Sequence, residues 1–266
     1  MLAAHSPSRG RSGGRALAAA LVVATATTVA GCAPQPVPAG EAVVAAASSV
    51  TAPPVPVGQL TAQTLVPTLA EAMLHAGSLT TTTRTTVAGS VVENTVDIDM
   101  TACNTRLHVS LPDGVAEILT VDGRTFIQSP VTGGKYYAVL PDDRTWASLV
   151  LGTDPVRPVR ALFGAVVSAA PSGEPVLLDG VPAQPYTVVV DTTRIRDGLG
   201  DLGAAVPRDQ LPPTVTFTYW IDPDHRLRRA TSELGGATVE MLFTNWGADF
   251  GLAAPVKEQL TLVSPA

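Results

Sequence analysis

The sequence predicts an α+β fold: a long, mostly antiparallel β-sheet with two or three helices inserted, in one domain behind an export signal. Three observations predict it. Apolar residues recur at every second position through much of 91–246. Tight-turn dipeptides such as Asp122-Gly123 and Asp179-Gly180 fall between those runs. Two other segments, 65–76 and 154–170, carry their apolar residues at helical spacing instead.

The chain opens with a signal. Arg9, Arg11 and Arg15 precede an uncharged stretch from Ala16 to Ala30, and Val29-Ala30-Gly31-Cys32 follows. A basic start, a short apolar run and small residues at the cut make a secretory signal. The apolar run is about fifteen residues, short of the roughly 20 that a spanning helix needs. The order aliphatic, small, Gly, Cys is a lipobox, in which the Cys32 thiol takes a diacylglyceryl group before cleavage leaves it as the new N-terminus. Residues 1–31 are thus read as the lipoprotein signal peptide and Cys32 as the lipidation site. Two or three acyl chains, palmitate among them, hold a protein stably where one does not. The expected location is the extracytoplasmic face of the cell membrane, with the bilayer as a partner through Cys32.

Residues 32–58 then read as a tether. Pro34, Pro36, Pro38, Pro53, Pro54 and Pro56 lie among Ala, Val and Ser, and Glu41 is the one charge. An ordered arm of the domain is the alternative. Residues 59–266 form a single domain by length. Removing the three arginines of the signal takes the net charge from -6 to -9. An acidic chain without a basic run argues against nucleic acid and against electrostatic docking on anionic lipid. Cys103 is the other cysteine. With Cys32 acylated it has no disulfide partner in the chain, and it is expected to be a partly buried small residue.

The first helix spans 65–76. Thr64 is the expected N-cap, Pro67 lies in the first turn, Leu65, Leu69 and Met73 form the stripe, and Gly77 ends it. In 91–100, Val92, Val96, Ile98 and Met100 share one face, with Asn94 as its polar exception. Leu107, Val109 and Leu111 alternate with Arg106, His108 and Ser110, and strands follow at 115–121 and 124–129. Asp154-Pro155 opens a second expected helix carrying Leu162, Phe163, Val166 and Val167, which Pro171 ends. Strands at 175–179 and 185–191 come next, and a weaker helix at about 194–203. Val215, Phe217, Tyr219 and Ile221 alternate with Thr214, Thr216, Thr218 and Trp220, and strands at 226–234 and 237–246 complete a three-stranded meander.

No motif demands chemistry. Asp222, Asp224 and Glu233 match positions 1, 3 and 12 of a calcium loop. Arg226 and Leu227 stand where a ligand and a glycine are required, so a hairpin turn is the expectation and no metal is expected. His75, His108 and His225 are isolated. There is no Gly-x-Ser-x-Gly elbow, no Ser-x-x-Lys and no phosphate loop, and no cofactor or catalytic residue is expected. What remains is aliphatic surface. It either fills a solid core or lines a cavity suited to acyl chains, which need no hydrogen-bond partners.

Several pieces, in order, carry a resemblance. They are His75-Ala76-Gly77-Ser78 with the Thr-rich strand 80–86, Val121-Asp122-Gly123-Arg124-Thr125-Phe126-Ile127, and Asp154-Pro155. They continue with Val215-Thr216-Phe217-Thr218-Tyr219-Trp220-Ile221-Asp222 and Phe243-Thr244-Asn245-Trp246-Gly247 followed by Pro255. With a lipobox in front, this layout resembles the LppX/LprG-type actinobacterial lipoproteins over about 60–256. The resemblance implies a half-barrel of antiparallel strands wrapped over helices, with an apolar cavity between. It implies a carrier of lipids or glycolipids in the cell envelope, not an enzyme, with an envelope transporter as a partner. The cavity lining expected here is Leu162, Phe163 and Val166 from the second helix, with Ile98, Phe217 and Tyr219 from the strands. The chain departs from the family in its long tether and in the segment 129–153, with Gly133-Gly134 and Asp142-Asp143-Arg144, so the resemblance names no particular lipid. The alternative is an anchored interaction or sensor protein with a solid core and no lipid cargo.

Overall fold

A computed structural model describes residues 60–111, 114–140, 161–198, 211–234 and 236–264. The expected signal, lipobox and tether lie outside these residues, as does the expected helix start at Asp154-Pro155.

Helix α1 (Leu65–Ala76) buries Leu65, Val66, Leu69, Ala70 and Met73 as one stripe. Its C-terminal stop is as expected: Gly77 adopts a left-handed conformation and its N–H reaches the Met73 carbonyl. Its N-terminus differs. Thr64 makes no side-chain cap and lies in the helical region of backbone space. Its hydroxyl instead accepts from the Thr61 N–H at 2.9 Å. The Leu65 N–H meets the Thr61 carbonyl at 2.9 Å, so a preceding turn satisfies the helix start.

Gly77 turns the chain into a run of hairpins: β1 (Ser78–Val87), β2 (Ser90–Asp99), β3 (Asn104–Leu111), β4 (Gly114–Val121), β5 (Arg124–Gln128) and β6 (Tyr136–Ala138). The second half supplies β7 (Val166–Pro171), β8 (Val176–Leu178), β9 (Val181–Asp191), helix α2 (Thr192–Gly198), β10 (Thr214–Ile221), β11 (Leu227–Leu234), β12 (Ala237–Thr244) and β13 (Leu260–Thr261). They form one curved, unclosed sheet in the order β13-β6-β5-β4-β3-β2-β1-β12-β11-β10-β9-β7, with β8 beside β9. The β13–β6 pair is parallel and makes the sheet mixed.

The turns follow local chemistry. Asp122-Gly123 and Asp179-Gly180 both have two consecutive residues at positive φ, the pattern of a two-residue hairpin loop. Ala88-Gly89 closes β1 onto β2 with the same backbone, at φ 48° and 82°. The long-range seam is β1 against β12, where Thr81 faces Phe243 and Thr83 faces Met241.

The expected second helix is corrected over 166–171. There the chain is strand β7, which pairs antiparallel with β9. Val166, Val167 and Pro171 satisfy the local pattern of either state, and the β9 edge offers backbone partners that a helix end would leave unused. The weaker helix begins two residues earlier than expected, at Thr192.

The alternating pattern sets two faces. The inner face carries the main core, where the α1 stripe packs with Leu79, Ile98, Val188, Val190, Phe217, Val239, Met241 and Phe243. The outer face is polar over the centre of the sheet. Near the β5–β6 edge it carries a second cluster of Leu119, Val121 and Phe126, against which Leu252 and Leu260 of the C-terminal segment pack.

Candidate functional site

The site expected from the sequence is the inner face, and register places its residues. Ile98 stands opposite Leu79 on one side and Thr105 on the other. Phe217 lies opposite Val188 and Ser232, and Tyr219 opposite Tyr186 and Ala230. All three expected strand residues are buried and belong to the same core cluster. Ile98 sits apart from the aromatic pair, with β1, β12 and β11 between them. The Phe217 and Tyr219 rings lie 5.6 Å apart and tilted, a favourable edge-on arrangement. Burial pushes the phenols of Tyr186 and Tyr219 above the ordinary tyrosine range.

Of the residues expected from the second helix, Leu162 and Val166 are buried in the main core, Val166 from strand β7. Phe163 is a correction. It is 51% exposed and points away from the core, because residues 163–165 form a turn and not a continuing helix.

The inner face is unevenly covered. Under α1 and across β9–β12 it is sealed, but on β2 and β3 the same face stays open to water. Val92 is 45% exposed, and Val96, Leu107 and Val109 are half-buried. Register puts these four side by side: Val96 faces Leu107, and Asn94 between Val92 and Val96 faces Val109.

A polar stripe crosses this face. Thr81, Thr83 and Thr85 of β1 alternate with outward Thr80, Thr82 and Arg84, and Thr83 lies opposite Asn94. Thr81, Thr83 and Thr105 are buried. The oxygens Thr81 Oγ1, Asn94 Oδ1 and Thr105 Oγ1 are buried without a hydrogen-bond partner. Buried Ser232, on the same face, donates to the Thr216 carbonyl at 3.1 Å and is satisfied. Sequence reasoning marked Asn94 as the polar exception but missed Thr81 and Thr105. In a run of threonines the inward phase is legible once the strand's partners are known.

The outer face holds paired charges. Asp97 accepts from Thr80 at 2.8 Å and from Arg106 at 2.7 Å. Glu117 accepts from the Tyr136 hydroxyl and lies 3.7 Å from His108 Nδ1. Burial, then the Glu117 carboxylate, pushes Tyr136 up to about 12. Arg229 pairs with Glu240 at 2.6 Å and sits over the Trp220 ring at 4.9 Å. Each of these groups is committed to a neighbour across the sheet.

The calcium-loop residues form a hairpin turn. The Asp222 N–H meets the Arg226 carbonyl at 3.0 Å, and the Asp222 carboxylate is held by Arg228. Among the described residues no group of three or more His, Cys, Asp or Glu could hold a metal ion. No helix among them is long and apolar enough to cross a membrane. Cys103 is half-buried in the turn between β2 and β3, at φ 59°. Its burial is as expected, but it is not a free thiol.

No family model matches this chain, and no curated protein does either. Among solved structures the chain is similar to the lipoprotein LppX of Mycobacterium tuberculosis, at 18% identity over 71% of this chain and 98% of that one, with a TM-score of 0.45. It is also similar to LprF of Mycobacterium bovis, at 18% identity over 73% of this chain and 96% of that one, with a TM-score of 0.47.

Proposed function

We propose that this chain is an envelope lipoprotein, anchored through acylated Cys32, that binds an acylated lipid against the inner face of its sheet and carries or presents it. The carrying observation is the open aliphatic strip Val92, Val96, Leu107 and Val109. It continues, without a break in face, into the buried core residues Ile98 and Leu79. Leaving aliphatic surface in water costs about 25 cal/mol per Å². A strip that opens directly off a core is ready to be covered by something apolar. Acyl chains suit it because they ask for no hydrogen bonds along their length.

The anchor reading supports the same conclusion. The lipobox puts a diacylglyceryl group on Cys32, and a mature chain of net charge -9 has no basic surface run to hold it at an anionic membrane. Binding and presentation need no covalent step, which is why the reading is of a carrier and not an enzyme.

The test is to export the chain from Ala33 onward behind an ordinary signal, purify it without detergent and weigh it by native mass spectrometry. Bound acyl lipid at one molecule per chain is the expected result. Repeated absence of lipid, with the strip covered by a co-purifying protein, would replace this reading with an anchored interaction protein. The N-terminal peptide of the wild-type chain provides a separate check. A diacylglyceryl adduct on Cys32 is expected, and the same peptide crosslinked to the one containing Cys103 would sink the anchor.

A further inference from the structure

The sheet has two rims, and their chemistry differs. Register puts the β1–β2 turn Ala88-Gly89, the start of β4, the end of β5 and the starts of β6 and β13 on one rim. The other rim carries the turns after β2, β4, β8, β10 and β12, and an aspartate marks each of them: Asp99, Asp122, Asp179, Asp224 and Asp249.

The first rim exposes aliphatic tips instead. Val131 is 67% exposed and Val256 is 59% exposed, and Val91 and Val115 are exposed on the same rim. Gly114 lies against the Pro130 ring, which brings the start of β4 to the turn that carries Val131. The chain has two lysines, Lys135 and Lys257, and both belong to this rim. Lys135 precedes Tyr136, Lys257 stands three residues before Leu260, and Tyr136 and Leu260 are parallel partners. From β1 to β6 and at β13, the described carboxylates near this rim are Glu93, tied to Arg84 at 2.8 Å, and Glu258.

One exposed valine needs no explanation, but valines on the tips of successive turns form a patch that does. Turn tips that face only water favour Asp, Asn, Gly and Ser, as the opposite rim shows. Aliphatic tips with lysines beside them suit a bilayer interface. The tips enter the boundary of headgroups and acyl chains, and the lysine stems lie along apolar surface with their ammonium groups at the phosphates. The open strip begins on the same rim, since Val92 follows Val91 on β2. The anchor leaves orientation free: residues 33–59 at full stretch reach about 90 Å, several times the radius of such a domain.

We propose that this rim docks on the bilayer surface, with Val91, Val115, Val131 and Val256 entering the interface and Lys135 and Lys257 meeting lipid phosphates. Acylated Cys32 holds the protein at the membrane, and the rim orients it. The mouth of the strip then lies against the bilayer, so an acyl chain passes between them without crossing water. What enters the strip rests on the lipid-binding reading above; the contact of rim with bilayer does not.

The experiment is vesicle flotation of the exported chain from Ala33 onward, which lacks only the acylated residue of the mature protein. The vesicles are dioleoylphosphatidylcholine with a quarter dioleoylphosphatidylglycerol. Wild-type protein is expected to float with them. Val131→Ser with Val256→Ser should lower the partition at least fivefold. Leu177→Ser with Leu262→Ser, exposed on the aspartate rim, should leave it within twofold. Lys135→Gln with Lys257→Gln should weaken binding to these vesicles but not to dioleoylphosphatidylcholine alone. Wild-type protein that stays off the vesicles, equal losses from the two apolar pairs, a loss confined to the leucine pair, or a lysine pair without effect would each overturn the rim. If the valine pair does not fold, Phe163→Ser at the β7 end of the same rim makes the comparison, with a threefold loss expected. Native mass spectrometry of the same preparations separates the two readings. Bound lipid without rim-dependent flotation overturns the rim alone, and rim-dependent flotation without bound lipid overturns the lipid cargo alone.

Discussion

The buried carboxylate of Asp222 is gripped by Arg228, whose Nε and Nη2 both lie 2.7 Å from Asp222 Oδ2. The other carboxylate oxygen accepts the Arg226 N–H at 2.8 Å. Asp222 is 1% exposed, so removing it strands a guanidinium that is itself largely covered. Breaking one side of a buried pair costs about 3–5 kcal/mol. Arg228 keeps some water contact, so Asp222→Ala should destabilise by about 2–4 kcal/mol. Urea unfolding measures it, and a change under 1 kcal/mol would show that the pair is not needed.

Ala88 offers a stabilising change. It holds φ 48° in the loop between β1 and β2, a conformation costing about 1–2 kcal/mol for a residue with a Cβ. Asparagine tolerates it better and is favoured before glycine in such loops. Ala88→Asn should raise stability by about 0.5–1 kcal/mol, read as a higher Tm. A lower Tm would mean that the hairpin does not close on this turn.

Alkaline pH should destabilise the fold through its tyrosines. Tyr136 is raised to about 12, with Tyr186 and Tyr219 raised as well. The unfolded chain loses these protons first, so stability is intact below about pH 10 and falls as pH climbs toward 12. Absorbance at 295 nm should show late ionisation, and Tyr136→Phe should soften the alkaline loss. Ordinary titration of all tyrosines in the folded protein would contradict their burial.

The two parts of the inner face should respond differently to substitution. Ile98 is sealed in the core, and Ile98→Ala should cost about 2–4 kcal/mol of stability. Leu107 lies on the open strip, where Leu107→Trp should change stability by less than about 1 kcal/mol. It should nevertheless displace bound lipid, as native mass spectrometry would register. Undiminished lipid in Leu107→Trp would place the ligand elsewhere.

Membrane attachment should depend on one sulfur. Cys32→Ala removes the proposed acylation site and leaves the charge of residues 32–266 at -9. The variant should leave the membrane fraction or accumulate unprocessed, and high salt should not release the wild-type protein. Salt release of the wild type would point to ionic attachment.

Much of the fold was legible because it is local. Gly77, Asp122-Gly123 and Asp179-Gly180 each carry a turn in two residues, and the α1 stripe repeats within its own length. Strand β7 was misread because Val166 and Val167 fit a helix until the β9 edge is brought alongside. Strand β6 escaped notice because Tyr136–Ala138 is short and its parallel partner Leu260–Thr261 lies far along the chain. For the site, Ile98, Phe217 and Tyr219 were readable from alternation. Thr81 and Thr105 were not, since a hydroxyl's want of a partner is a property of its surroundings.

The seam between β1 and β12 has a consequence for how the protein is made. Thr81 meets Phe243 at the middle of the sheet, so the centre of the fold joins the first strand to one of the last. Pairing so distant in sequence is slow, and it cannot begin until nearly the whole chain is free. Before then the early strands can zip locally into hairpins but lack the partner that completes their core. The local hairpins thus form early, and the fold commits to its final form only when the late strand β12 docks beside β1.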